Sequence, residues 1–223
     1  MAPASFLDYL WEFIPPNKQR LFKERVKTRT RFLTLALEDI YQPQNASAVM
    51  RTCDCFGVQD IHIIENRNEW EYNPEVERGS SKWLSISRYN SNPDNSATCV
   101  QTLKSNGYEI VATTPHSEFT IDSFIPKKPL ALVMGTEKKG VSDTVLKEAD
   151  HLLSIPMVGF TESLNLSVAA AICIHQIMKR LKNSEINWMV NEEQANEILT
   201  DWCKKTVKNH EIYLKRYSEL PKG

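Results

Sequence analysis

The stretch Thr161-Glu162-Ser163-Leu164-Asn165-Leu166-Ser167-Val168-Ala169-Ala170-Ala171 runs straight into Ile172, Cys173 and Ile174. Small and hydroxylated residues let backbone approach backbone closely, and the polar Glu162, Ser163 and Asn165 stand where they can serve a pocket. The run reads as a ligand loop fused to a buried helix that continues after Ser167. Upstream of it, residues 152–155 read as a strand, 143–149 as a helix and 130–134 as another strand. The rhythm continues with a strand over 108–113 behind Gly107, a helix around 100–103 and a strand over 61–64. Before these comes a helix starting near Asn45 and closed by Gly57, and at the front an apolar strand over 32–37. Strands alternating with helices make an α/β fold. Residues 79–83 and 90–96 read as turns, with Trp83 a packing anchor.

With 223 residues and 41% hydrophobic content, one substantial domain with terminal additions is the simplest division. The five cysteines are an odd set and the chain has no apolar leader or membrane-length run, so the expectation is a protein of the reducing cytoplasm, with no membrane partner. Cys53 and Cys55 have no matching second pair, so no metal is expected.

The formal net charge of −1 conceals an uneven distribution. Residues 18–31 hold seven bases, Lys18, Arg20, Lys23, Arg25, Lys27, Arg29 and Arg31, against Glu24 alone. Residues 204–216 hold Lys204, Lys205, Lys208, Lys215 and Arg216 against Glu211. Two basic ends therefore flank an acidic body. Such segments can hold phosphates without reading a base sequence, or can be ordinary solvated helix faces; both readings stand. Trp11, Phe13, Trp188, Trp202 and Tyr213 read first as packing residues and second as base-stacking platforms.

Two further segments carry candidate chemistry. In Asn45-Ala46-Ser47-Ala48-Val49-Met50-Arg51-Thr52-Cys53, Asn45 is suited to cap the helix. Arg51 offers five fixed donors, either to a surface ion pair or to a phosphate or pocket. In Met134-Gly135-Thr136-Glu137-Lys138-Lys139-Gly140-Val141-Ser142, the glycines permit a tight loop at a strand end, where backbone groups can meet a small molecule. Its spacing is not that of a dinucleotide or nucleotide phosphate loop.

In order, the segments NASAVMRTCDCFG, LVMGTEKKGVS and IPMVGFTESLNLSVAAA closely resemble the SpoU (TrmH) branch of the SPOUT methyltransferases, a likeness covering roughly residues 30–182. The resemblance implies a mostly parallel sheet flanked by helices with a deep C-terminal trefoil knot, bound S-adenosylmethionine and a homodimer. The corresponding division is a basic helical extension over 1–30, the methyltransferase domain over 31–182 and a helical extension over 183–223. By resemblance, Arg51 assists deprotonation of a ribose 2′-hydroxyl and Asn45 shapes the RNA pocket. Asn45 alternatively orients Arg51, Gly135 approaches the cofactor, Glu137 organises the substrate side, and Ser163 and Asn165 position Arg51 and the acceptor. Thr113, Ile155, Leu164 and Ala169 join Gly135 around the cofactor. Because arginine is ordinarily a very weak base, either Arg51 is transiently deprotonated or an RNA phosphate takes the proton. The absence of a large separate RNA-binding domain points to tRNA, and to the D-loop guanosine at position 18. An rRNA or another tRNA nucleotide as target, and a catalytically silent RNA-binding dimer, are the alternatives.

Overall fold

Leu130–Met134 is buried at every position, as a strand covered on both faces must be. Around it, a computed structural model describes residues 5–219. In chain order these form α1 (Phe6–Trp11), α2 (Pro16–Val26), β1 (Leu33–Glu38), α3 (Pro43–Phe56), β2 (Asp60–Ile64) and α4 (Pro74–Glu77). A 3-10 turn (Ser80–Trp83), β3 (Ser85–Tyr89), α5 (Asn95–Ser105), β4 (Glu109–Thr113), β5 (Leu130–Met134) and α6 (Asp143–Glu148) follow. The chain continues through β6 (His151–Leu153), α7 (Leu166–Lys182), α8 (Glu192–Thr206) and α9 (His210–Glu219).

Residues 30–188 form one compact unit. Its sheet runs β3-β2-β1-β5-β4-β6 with every pairing parallel. Side-chain alternation sorts the strands onto two cores. Leu33, Leu35, Leu37, Leu130, Leu132 and Met134 join Ala46, Val49 and Met50 of α3 and Ala170, Ile174 and Ile177 of α7. Ala36, Ala131 and Val133 face the other way, onto Val100 and Leu103 of α5 and Val145 of α6. Each fully buried Leu or Ile contributes about 1.5–3 kcal/mol, so the central strands hold the sheet together. In a parallel sheet all strands finish at one edge. There the chain reverses between β1 and β5, neighbours from opposite halves of the sheet, which is where α/β folds open a crevice.

Several boundaries differ from the sequence reading. Helix α3 starts at Pro43, two residues before Asn45: Gln42 occupies the cap position and Pro43 follows it, a place where the missing N–H costs nothing. Asn45 is therefore inside the first turn and is not the cap. Gly57 does end the helix, at φ +81°. Asn95 and Ser96, read as turn formers, open α5 behind the Asp94 cap. Strand β6 lies at His151–Leu153, a residue earlier and shorter than expected. Strand β3 was not anticipated; it is a sheet edge whose Ile86, Ser87 and Arg88 are exposed, so it lacks a buried apolar pattern.

The two chain ends form the second unit together, within residues 5–29 and 189–219. Leu10, Ile14, Phe22 and Val26 are buried with Ile198, Leu199, Trp202 and Cys203, and the Phe22 and Trp202 rings meet at 5.4 Å. The extensions over 1–30 and 183–223 are thus halves of one helical body. Its boundary falls after Trp188 and not after residue 182, because Ile186 and Trp188 pack on the sheet core. Residues 1–4 and 220–223 of those extensions lie outside the described residues.

Candidate active site

Strand β5 delivers the chain to Gly135, and the next residues fold back at once. The Thr136 N–H donates to the Gly140 carbonyl at 3.0 Å and the Gly140 N–H returns to Thr136 at 2.8 Å. A Cβ on Gly135 would stand 2.0 Å from the Gly140 carbonyl oxygen, so only glycine permits this backbone contact. Gly135 therefore lets the hairpin close on itself.

The hairpin carries Glu137 to the start of two helices. Glu137 Oε1 accepts from Asn45 Nδ2 at 2.7 Å, from Asn165 Nδ2 at 3.0 Å and from the Leu166 N–H at 3.2 Å. Asn165 Nδ2 also donates to Asn45 Oδ1 at 3.0 Å, and Asn45 Nδ2 to Gln42 Oε1 at 3.0 Å. Asn165 Oδ1 accepts from the Ser167 N–H at 2.9 Å and so caps α7. Both amides have each donor engaged, which fixes their orientation. One carboxylate thus joins the segments around Asn45, Glu137 and Asn165.

Beside this junction lies a cleft of about 390 Å³, within the roughly 300–1,000 Å³ of small-molecule sites. Thr113, Gly135, Ile155, Leu164 and Ala169, the expected cofactor residues, all line it, as do Glu137 and Ser163. Leu153, Ile155, Leu164, Leu166 and Ala169 make its surface largely apolar, with Thr113, Thr114 and Glu162 as polar points. That mixture suits a flat aromatic group joined to a polar, charged tail. Arg51 is exposed on α3 and, among the described residues, engages no partner. Neither Arg51 nor Ser163 enters the hydrogen-bonded junction, and Asn165 holds Asn45 and Glu137 where Arg51 was expected.

A second groove of about 780 Å³ adjoins the other side of the hairpin, sharing residues 136–141 and Leu166 with the cleft. Sequence reasoning named Asn45 and Glu137 in its walls but missed Glu38, Tyr41 and Arg67. Glu38, 2% exposed at the end of β1, accepts from the Ser96 hydroxyl and from both the N–H (2.7 Å) and hydroxyl (2.6 Å) of Ser142. It pins the far end of the hairpin loop to the central strand. A carboxylate ending an apolar strand was the available signal.

The basic residues are unequal. Arg20, Lys23, Arg25 and Lys27 are exposed on and just after α2, and Lys18 lies over the Phe22 ring at 5.9 Å. Arg29 is 6% exposed, its guanidinium 5.1 Å from the Trp202 ring centre, and Arg31 pairs with Asp60 at 3.2 Å. Both are spent on packing and pairing, so the phosphate reading of this segment is left to its other bases. Lys208 is exposed, Lys204 sits over Phe6 at 5.7 Å and Lys205 pairs with Asp201 at 2.7 Å. A hollow on the same unit is lined by Asp8, Glu192, Glu193, Glu197 and Asp201 with Lys204, so carboxylates outnumber bases there. Among the aromatics, Trp202 is buried and Phe13 packs on Tyr213 at 4.3 Å.

The profile of the SpoU rRNA Methylase family matches residues 32–175. The chain is 37% identical over 204 residues to the tRNA (guanosine(18)-2′-O)-methyltransferase of Borreliella burgdorferi, covering 91% of this chain and 92% of that one. It is 32% identical over 191 residues to the enzyme of the same name from Thermus thermophilus, covering 84% and 96%. The crystal structure of the A. aeolicus TrmH/SpoU tRNA modifying enzyme superposes with a TM-score of 0.76 at 28% identity, covering 86% of this chain and 97% of that one.

Proposed function

Since the chain belongs to the SpoU methylase family, we propose that it methylates the ribose 2′-hydroxyl of a guanosine in tRNA, at position 18 of the D-loop, using S-adenosylmethionine. The observation that carries this reading is the Asn45–Glu137–Asn165 junction, which brings the family's motifs together at the mouth of an apolar cleft. The tRNA target is supported by relatives of that name matching this chain over most of both lengths.

Bound S-adenosylmethionine supplies an electrophilic methyl group on a positively charged sulfur. The apolar walls at Ile155, Leu164 and Ala169 would hold its adenosyl part, with Thr113 at the end of β4 and the closed Gly135 hairpin bounding the cleft. The protein's tasks are then alignment and removal of the hydroxyl proton, and alignment alone contributes strongly to rate. Arg51, on the same helix as Asn45, is assigned to the ribose hydroxyl, taking its proton or steadying an RNA phosphate that does. Ser163 on the cleft lip positions the acceptor, and the exposed bases of α2 contact RNA phosphates. The knot and the homodimer form part of the same proposal. Fully exposed Val158 and Phe160, in the segment that also supplies Ser163, support a site covered by a second copy. Free cysteines support a cytoplasmic setting.

Methyl transfer to a tRNA transcript carrying guanosine at position 18, compared with the same transcript carrying 2′-deoxyguanosine there, tests the reading. Transfer is expected to the first and not the second. Retained transfer to the deoxy transcript, or transfer to rRNA in its place, overturns it.

A further inference from the structure

Strand β1 does not simply run out; its last turn of chain is fastened residue by residue. After Glu38, locked by Ser96 and Ser142, Asp39 takes a left-handed conformation at φ +54°. Its N–H donates to the Ile64 carbonyl at 2.9 Å, its Oδ1 accepts from the N–H groups of Asn66 (2.7 Å) and Arg67 (2.8 Å), and its carbonyl accepts from Asn68 Nδ2 at 2.7 Å. Ile40 is buried, and Gln42 is held through Asn45. Between these anchored neighbours Tyr41 projects with 78% of its surface exposed.

An aromatic ring left in water on a fixed backbone gains nothing for folding, and with only two side-chain torsions it loses little entropy on meeting a partner. Tyr41 forms one wall of the 780 Å³ groove, whose other walls include Asn45, the cations Arg67, Lys138 and Lys139 and the carboxylates Glu38, Asp39, Asp94, Glu137 and Asp143. Glu38, Asp39 and Asp94 spend their carboxylates on hydrogen bonds from Ser142, Asn66 and Ala97. The exposed Arg67, Lys138 and Lys139 thus stand beside the exposed ring, an arrangement that matches unpaired nucleic acid, with phosphates outside and a base against the ring. The groove also meets the cofactor cleft at Glu137. We propose that this groove receives the acceptor nucleotide of the RNA and that Tyr41 stacks on its base, with Arg67, Lys138 and Lys139 holding the adjoining phosphates. The assignment rests on the methyl-transfer reading for the identity of the nucleotide, but the stacking is separately measurable.

The full-length protein, Tyr41→Ala and Tyr41→Phe should be compared for binding of a tRNA transcript carrying 2-aminopurine at position 18, and for the KM of the unmodified transcript. Stacking of one base predicts that Tyr41→Ala weakens RNA binding and raises KM by about fivefold to a hundredfold. Tyr41→Phe should stay close to the parent, S-adenosylmethionine affinity should be unchanged in both, and 2-aminopurine quenching should disappear in the alanine variant alone. Unchanged RNA affinity and quenching in Tyr41→Ala overturn the proposal, even with methyl transfer intact. Should the parent protein methylate no RNA while Tyr41→Ala still loses affinity and quenching, the stacking role stands and the chemistry falls.

Discussion

Asn45 donates its amide to Glu137 at 2.7 Å across a sequence separation of 92 residues. The same carboxylate oxygen receives Asn165 and the Leu166 N–H, so its removal leaves several donors without their acceptor. Glu137→Ala should lower stability by about 1–3 kcal/mol and impair methyl transfer. Glu137→Gln, which keeps one carbonyl acceptor, should lose much less stability. Urea unfolding of both variants checks the difference; equal losses would show that the acceptor oxygen is not what matters.

The two hairpin glycines separate a steric demand from a conformational one. Gly140 sits at φ +67° with open space around its Cβ position, so Gly140→Ala should cost about 1–2 kcal/mol. At Gly135 the added carbon meets backbone, and Gly135→Ala must open the hairpin. Calorimetric titration should show its S-adenosylmethionine affinity down at least about tenfold, a loss of the size expected when a supporting shell shifts.

Arg51, exposed and without a partner among the described residues, is dispensable for the fold. Arg51→Ala should unfold within about 0.5 kcal/mol of the parent, while its kcat falls at least about a hundredfold, the size of a lost proton-transfer step. Arg51→Lys should not restore it, since an ammonium lacks the planar fork. Single-turnover methylation at saturating RNA measures this; a kcat near that of the parent would remove Arg51 from the chemistry.

His62 introduces an acid sensitivity away from the site. Burial in β2 lowers its pKa to about 4, with Nδ1 3.1 Å from the Tyr89 hydroxyl. The unfolded chain takes up the proton first, as pH drops through about 6.5. The contribution is therefore complete above that value and is lost progressively down to about 4. Between pH 7 and 5 the loss should be on the order of 2 kcal/mol. His62→Leu should flatten that part of the pH profile in urea titrations; an equally steep profile would assign the effect to other groups.

Much of the fold was legible because central strands announce themselves. Residues 130–134 were read as β5 without error, since an apolar run between turn formers admits few other structures. Strand β3 escaped because an edge strand need not be apolar, and Arg88 there bonds Glu65 at 2.7 Å on the exposed side. The cofactor residues came from the motif resemblance alone, and the structure brings all five to one cleft. The junction of Asn45, Glu137 and Asn165 could not be placed, since its hydrogen bonds depend on where three distant loops arrive. The burial of Arg29 depended on Trp202 in the same way: a charge count sees the guanidinium but not the ring that covers it.

The helical unit built from both chain ends carries a consequence for synthesis. Leu10, Ile14, Phe22 and Val26 leave the ribosome ahead of the sheet strands, yet Trp202, which covers Phe22, follows 180 residues later. At about 5–20 residues per second that is a wait of roughly 10–35 s. Throughout it the amino-terminal helices present an apolar stripe that the sheet domain, already able to collapse, does not own. The sheet domain is thus complete before the helical unit, whose earlier-made half waits longest for its cover.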